Sequence, residues 1–405
     1  MGRRGIARAG VVCVSLALAI GAVCGGGCRA VEEEGMAGPK EAMMFTKTEH
    51  PRIAQLWAPV RGGEWDALEN WAKHDLVMVS PGQLGMRPNH ESWDKADGYT
   101  PESVAAAKGR VAELRRLNPD VVILCDMSFY ELEEDALPED HPWWLRKDGE
   151  REQFWPGTYR NDWYNADYQA HIVRKGVAAM ACGADGLFFD NLRDEEEPWI
   201  AIIGELREKL GDEVLMMANV GYAIEEYDFI APYMNGFMYE SGWSHRRTEW
   251  DDCIEKMQHS ESLFRKPYAS VIERFETTRG HAGWPSDRRK GETIPRDPAA
   301  RYWSLCYALI VGDYYYLFSD STSHQHDWYP EYDVKIGLPA GKGERLSSHV
   351  WRREYEKALV VMNLPGAKGP YEVEVERAAR DSFTGETGTR FTIPAGEGRV
   401  LVWSD

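Results

Sequence analysis

The chain has 405 residues, 43% of them hydrophobic, which is enough for a large barrel and a small extra domain. Its formal net charge of −19 excludes an electrostatic grip on nucleic acid, whose phosphates need Lys and Arg. The 16 tryptophans suit either a large core or stacking against the flat faces of sugar rings, and the count alone does not choose.

In chain order, Arg3, Arg4 and Arg8 precede an apolar run from Gly10 to Val23 that is too short to span a bilayer. Residues 1–28 are therefore expected to be an export signal. Gly25-Gly26-Gly27-Cys28 resembles a bacterial lipoprotein processing site, with Gly25 where Leu is usual, and makes Cys28 the lipidated residue. Cleavage after Ala30 by ordinary signal peptidase is the competing reading. The expected location is the periplasm, the cell surface or the medium, with membrane contact only through the lipid anchor. Residues 29–50 lack periodicity and read as a tether. Cys125, Cys182, Cys253 and Cys306 are spaced too unevenly for a disulfide framework or a zinc site. Cys125 and Cys182 lie in apolar runs and read as small core residues, although an oxidising compartment allows one disulfide.

From Arg52 onward, short apolar runs alternate with amphipathic stretches, the signature of βα units. Strands are expected at 52–58, 76–80, 121–126, 185–190, 214–219, 236–240, 268–273 and 314–318. Helices are expected at 101–117, 164–182, 198–210, 249–264 and 298–311. Eight alternations within residues 51–342 predict a (β/α)8 TIM barrel. A doubly wound sheet would want a Gly-rich phosphate loop after a strand, and no strand is followed by one. In residues 343–405, apolar runs at 359–362, 371–375, 390–393 and 399–403 are separated by turns such as Pro365-Gly366 and Gly385-Glu386. That pattern predicts a small antiparallel β-sandwich-like domain docked on the barrel.

Chemistry is concentrated in Ala184-Asp185-Gly186-Leu187-Phe188-Phe189-Asp190-Asn191, an apolar run that stops abruptly in Asp-Asn. A carboxylate ending a buried parallel strand sits where such barrels keep their active sites. Asn235-Gly236-Phe237-Met238-Tyr239-Glu240-Ser241 repeats the pattern. Two carboxylates on two strand ends are what glycosidic bond hydrolysis requires, one to protonate the leaving oxygen and one to attack or activate water. Asp190 and Glu240 are the expected catalytic pair, with a helix N-cap as the competing role for Asp190. Glu273 is the rival for the second carboxylate. Asp126, Asn191, Asn219 and Asp320 are expected to line the cleft, and Trp57, Trp163, Trp243 and Trp328 to stack on sugar or, equally, to cap the core. Asp194-Glu195-Glu196-Glu197 reads as a solvated loop leading into a helix, with Ca²⁺ binding as the alternative. His324-Gln325-His326 stands alone, and no expected strand ends in His, which weighs against a metal-assisted hydrolase. No cofactor or metal is expected.

Trp144-Leu145-Arg146-Lys147-Asp148-Gly149, Trp155-Pro156-Gly157 and the run from Gly183 to Asn191 together resemble the group called hypothetical glycosyl hydrolase family 15, with an α-galactosidase-like (β/α)8 barrel. Val350-Trp351-Arg352-Arg353-Glu354-Tyr355, Leu359-Val360-Val361-Met362-Asn363 and Pro394-Ala395-Gly396 are similar to that group's closing β domain, and polygalactosaminidase-like barrels are more distant kin. The resemblance implies Asp190 as nucleophile and Glu240 as acid/base, acting on a poly- or oligosaccharide. It departs from the α-galactosidase pattern in having Glu at the second place and Phe188 where a Lys precedes the first Asp by two. A non-catalytic surface glycan-binding lipoprotein is the alternative function.

Overall fold

The computed structural model describes residues 49–58, 60, 67–91, 95–127, 130–192, 196–221, 226–240, 250–275, 298–319 and 324–404. Cys28, Trp243, Asp320, Asp194 and Glu195 lie outside these. Eight parallel strands close a barrel: β1 (Arg52–Leu56), β2 (Leu76–Val79), β3 (Val122–Asp126), β4 (Gly186–Phe189), β5 (Leu215–Asn219), β6 (Gly236–Tyr239), β7 (Val271–Phe275) and β8 (Tyr315–Ser319). Each strand pairs with its sequence neighbours, and β1 closes on β8. The helices are a single turn α1 (Leu68–Trp71), then α2 (Pro101–Leu117), α3 (Ala166–Ala179), α4 (Glu196–Leu210), α5 (Trp250–Leu263) and α6 (Pro298–Val311). Within the barrel the expected bounds hold to within two residues except at the end of α3 and the start of β7, and the short α1 is not among the expected helices. β1 stops at Leu56, two residues short, because Trp57 turns to a φ of 52°. The last three expected residues of α3 form a 3₁₀ turn, Met180–Cys182. β7 begins three residues later than expected and continues through Arg274 and Phe275.

Strand periodicity sorts the side chains. Ala54, Leu56, Met78, Leu124, Phe188, Met217, Met238, Val271 and Leu317 fill the barrel interior as one apolar cluster. The alternate residues Ile123, Leu187, Phe189, Ala218, Phe237 and Ile272 face the helices and join the larger outer core. Two residues beyond each last inward apolar side chain, the next inward position falls at the C-terminal rim.

The opposite rim is held by short polar side chains that precede the strands. Asp75 Oδ2 accepts the Ile53 N–H at 2.7 Å, Asp185 Oδ2 that of Ile123 at 2.9 Å and Asn235 Oδ1 that of Met216 at 2.9 Å. In each case the same residue's own N–H donates to the carbonyl of that partner. Ser270 Oγ repeats the clip on Phe237 at 3.2 Å. Edge N–H groups that would be orphaned at the barrel floor are thus satisfied. The glycines after two of these clips are forced by contact: a Cβ on Gly186 would sit 2.1 Å from the Leu215 carbonyl oxygen, and one on Gly236 2.5 Å from the Ser270 nitrogen. Gly186→Ala is expected to cost about 3 kcal/mol or more, because neither neighbour is a side chain tip that can swing aside. Urea unfolding of the purified variant measures this, and a midpoint equal to the parent's would refute it.

Between β3 and α3 the chain makes two small ribbons, Glu131–Glu133 with Thr158–Arg160 and Arg146–Lys147 with Glu150–Arg151. The second turns on Asp148 and Gly149, both at positive φ. The C-terminal strands β9 (Glu344–Arg345), β10 (Val350–Tyr355), β11 (Ala358–Asn363), β12 (Tyr371–Asp381), β13 (Thr387–Ile393) and β14 (Glu397–Trp403) form one antiparallel sheet, ordered β9-β10-β11-β14-β12-β13. A register shift between Glu374 and Ala379 bends β12, which pairs with β13 on both sides of the shift and with β14 at its end. The bend encloses a second small core of Leu359, Val361, Val373, Phe391, Ile393 and Leu401. The other face docks on α6: the Tyr355 hydroxyl donates to the Leu309 carbonyl at 2.7 Å, and Arg353 Nη2 pairs with Asp313 at 2.7 Å. Covered by the barrel on one side and this sheet on the other, α6 is buried from Arg301 through Val311.

Candidate active site

The inward positions at the C-terminal rim are polar. Asp126 ends β3, Asp190 follows β4, Asn219 ends β5, Glu240 follows β6, Glu273 lies within β7 and Ser319 ends β8. Asp190 is held from both sides: Asn219 Nδ2 donates to Oδ1 and Asn191 Nδ2 to Oδ2, each at 2.8 Å. Asn219 is itself fixed, since its Oδ1 accepts the Gly221 N–H at 2.8 Å. Two N–H donors suit a carboxylate, which only accepts.

Glu273 is fully buried and engaged. His324 Nδ1 donates to Oε1 at 2.8 Å and reaches Oε2 at 3.0 Å, and the Ser319 hydroxyl also donates to Oε1. His324 is the site residue that the sequence reading missed, and its arrival corrects the expectation that no His stands at the strand ends. It lies five residues past β8 and reaches back to a partner 51 positions earlier. Its ring meets that of Trp57 edge-on, 5.1 Å between centroids. Trp57, Asn191 and His324 all adopt positive φ, at 52°, 58° and 56°. Only one other non-glycine among the described residues, Asp148, does so, which places the left-handed backbone strain chiefly around this rim.

The electrostatics divide the carboxyls. Burial, then Glu273 and behind it Asp190, push the Glu240 carboxyl up to about 7 against the opposing influence of His324 and Asn219. Burial and the charge of Asp190 push Asp126 up to about 8, opposed by the Trp57 indole. Burial disfavours a charge on His324, yet Glu273, then Glu240 and Asp190, outweigh it and hold the imidazole at about 9. At neutral pH the layer thus contains a protonated Asp126, a His324–Glu273 ion pair, and Glu240 near its midpoint. Glu240, Glu273 and His324 each offer one ligand atom within 4.8 Å of the others, a set that could hold a divalent cation. As an imidazolium, however, His324 donates to Glu273 and has no lone pair to offer there.

All three raised groups bind protons more tightly folded than unfolded. Their contribution to stability is complete below the unfolded values of 3.8, 4.5 and 6.5 for Asp126, Glu240 and His324. It is lost as pH rises through about 8, 7 and 9 respectively. His324→Gln is expected to cost on the order of 3 kcal/mol near pH 6, because Glu273 loses its charged partner in a buried place. The difference from the parent should shrink above pH 9, and urea unfolding at pH 6, 7.5 and 9.5 checks both the size and the sign.

Trp57 stands at the rim beside Asp126 and His324. Trp163 does not join the site: it is 2% exposed and stacks on Tyr130 and Trp199 in the outer core. Trp328 lies on the barrel flank, its ring against Tyr332 and against His74, which precedes β2 at the opposite end of the barrel, and its Nε1 donates to Asp333 at 3.0 Å. His326 pairs with the same His74, nitrogen to nitrogen, at 2.8 Å. Of the acidic run, Glu196 and Glu197 form the first turn of α4.

No curated protein matches the chain. Among solved structures, it is similar to a maltogenic α-amylase from Thermotoga neapolitana at 12% identity and a TM-score of 0.54, covering 90% of this chain and 100% of that one. A family 27 β-L-arabinopyranosidase from Geobacillus stearothermophilus, in complex with arabinose, is similar at 10% identity and a TM-score of 0.54, covering 91% and 100%. An α-amylase from Lactobacillus plantarum follows at 12% identity and a TM-score of 0.50, covering 90% and 100%. These likenesses establish the barrel-plus-sheet fold. The model of hypothetical glycosyl hydrolase family 15 matches residues 127–359, more than half of the chain and most of the rim just described. The chain belongs to hypothetical glycosyl hydrolase family 15 and is a glycoside hydrolase.

Proposed function

We propose that the protein hydrolyses O-glycosidic bonds of a poly- or oligosaccharide with retention, Asp190 acting as nucleophile and Glu240 as acid/base. The observation that carries this reading is the contrast between the two groups. Asp190 is oriented by two amide donors, while Glu240 holds a proton up to about 7 beside the His324–Glu273 pair. Glu240 would protonate the leaving oxygen as Asp190 attacks the anomeric carbon, then deprotonate the water that releases the glycosyl-enzyme. Asp126, Asn191, Asn219 and Trp57 would hold the sugar ring. The expected sandwich-like domain of residues 343–405 would brace the barrel, as its bonds to α6 support. Export through residues 1–28, with lipidation of Cys28, is part of the same reading.

The test is hydrolysis of a broad panel of polysaccharides and aryl glycosides, with the anomeric form of the first-formed product read by proton NMR. Product of the same configuration as the substrate supports the reading, and inverted product overturns the nucleophilic role. Glycan binding without turnover by the parent would favour the non-catalytic alternative. Labelling with a fatty acid that Cys28→Ser prevents would support the anchor, and an unlabelled parent would count against it.

A further inference from the structure

Two sulfurs that the hydrolysis does not use meet beside the site. Cys125 is the outward-facing residue before Asp126 on β3, and Cys182 ends the 3₁₀ turn after α3. Their Sγ atoms are 3.6 Å apart, and both thiols also approach the Ala179 carbonyl, at 3.8 and 3.2 Å. Both are buried, at 0% and 1% exposure. We propose that Cys125 and Cys182 are a disulfide-forming pair that cross-links β3 to the end of α3.

The reaction balances by exchange with a small-molecule disulfide such as oxidised glutathione. The Cys182 thiolate attacks one sulfur of the oxidant and expels a glutathione thiolate. Cys125 then loses its proton and attacks the Cys182 sulfur, expelling the second. One S–S bond forms in the protein as one breaks in the oxidant, and two glutathione thiols result. Cys182 suits the attacking role: its hydrogen bond with Cys125, helped by backbone N–H groups and Arg115, lowers its thiol to about 7 against burial. The Cys125 thiol is pushed up by that same bond and by burial. Because both sulfurs are covered, exchange needs the chain partly open, which makes it an event of folding rather than a rapid switch. The closed loop spans 57 positions. It contains the two ribbons between β3 and α3, so the cross-link would tie both ends of the segment that leaves the rim at Asp126. An exported chain would meet the oxidising conditions this requires.

The experiment incubates the full chain with oxidised glutathione, natively and in partly unfolding urea, then alkylates under denaturing conditions and maps peptides without reduction. The expected result is a Cys125–Cys182 linked peptide that forms faster in urea. The oxidised protein should also show a thermal midpoint that drops by several degrees on reduction, an effect absent from the Cys125→Ala/Cys182→Ala double variant. Alkylated thiols at both positions under every condition overturn the proposal, as does a disulfide joining either residue to Cys253 or Cys306. The peptide map of the parent decides even if the double variant fails to fold.

Discussion

Asp190→Asn will lower kcat/KM by about 10³-fold or more while leaving the thermal midpoint near that of the parent. The expectation follows from how the carboxylate is held. Asn219 and Asn191 each point an amide N–H at one of its oxygens. An amide in that place keeps the shape but must turn its own NH₂ toward one of those donors. It also cannot form the glycosyl-enzyme. Asp190→Ala goes further by leaving space beside the anomeric carbon. If Asp190 is the nucleophile, azide should restore turnover on an activated aryl glycoside and give a glycosyl azide of inverted configuration. A variant within tenfold of the parent, or one that azide does not rescue, would remove Asp190 from that role.

Glu240→Gln should separate substrates by their leaving groups. A glycoside whose leaving oxygen needs a proton should lose about 10²–10⁴-fold in kcat/KM, the usual worth of a placed general acid. A dinitrophenyl glycoside, whose leaving group departs unprotonated, should lose far less in the glycosylation step. The pH profile carries the same information. The proton on Glu240 is present below about 7, so kcat/KM of the parent should fall on the alkaline side with a midpoint near that value. In Glu240→Gln this limb should vanish. Equal losses for both kinds of substrate, or an unchanged limb, would shift the role elsewhere. Glu273→Gln is the informative control. Its side chain is already engaged by His324 and Ser319, so its loss should show no preference between leaving groups.

Most of the barrel was legible because its strands are buried on both faces and end in residues that no core position tolerates. Asp190 and Glu240 declared themselves in this way. Glu273 misled the bounds of β7, since a carboxylate read as a strand's end lies instead inside it, neutralised by His324. That pairing could not be read locally: the partners are 51 residues apart, and the segment carrying His324 has no periodicity. Trp163 and Trp328 show the limit of composition. An indole that packs on other rings and one that meets a sugar have the same sequence signature, and only the outward or inward sense of the strand and its loops separates them. The ribbon at Arg146–Arg151 did carry a signal in Asp148-Gly149, the pair that a tight hairpin turn favours.

The clips at Asp75, Asp185, Asn235 and Ser270 sit at the far end of the strands from every carboxyl of the rim. Architecture and chemistry therefore draw on different letters of the same short words, and each can be rewritten without editing the other. A library randomised at Asp126, Asn219 and Ser319 samples new specificities on a frame whose floor is untouched. Because Asp126 is held protonated by burial and by Asp190, members that replace it with a neutral side chain should be hardier than their parent in alkaline solution. The barrel is in this sense a better starting point for redesign than its modest likeness to known enzymes implies.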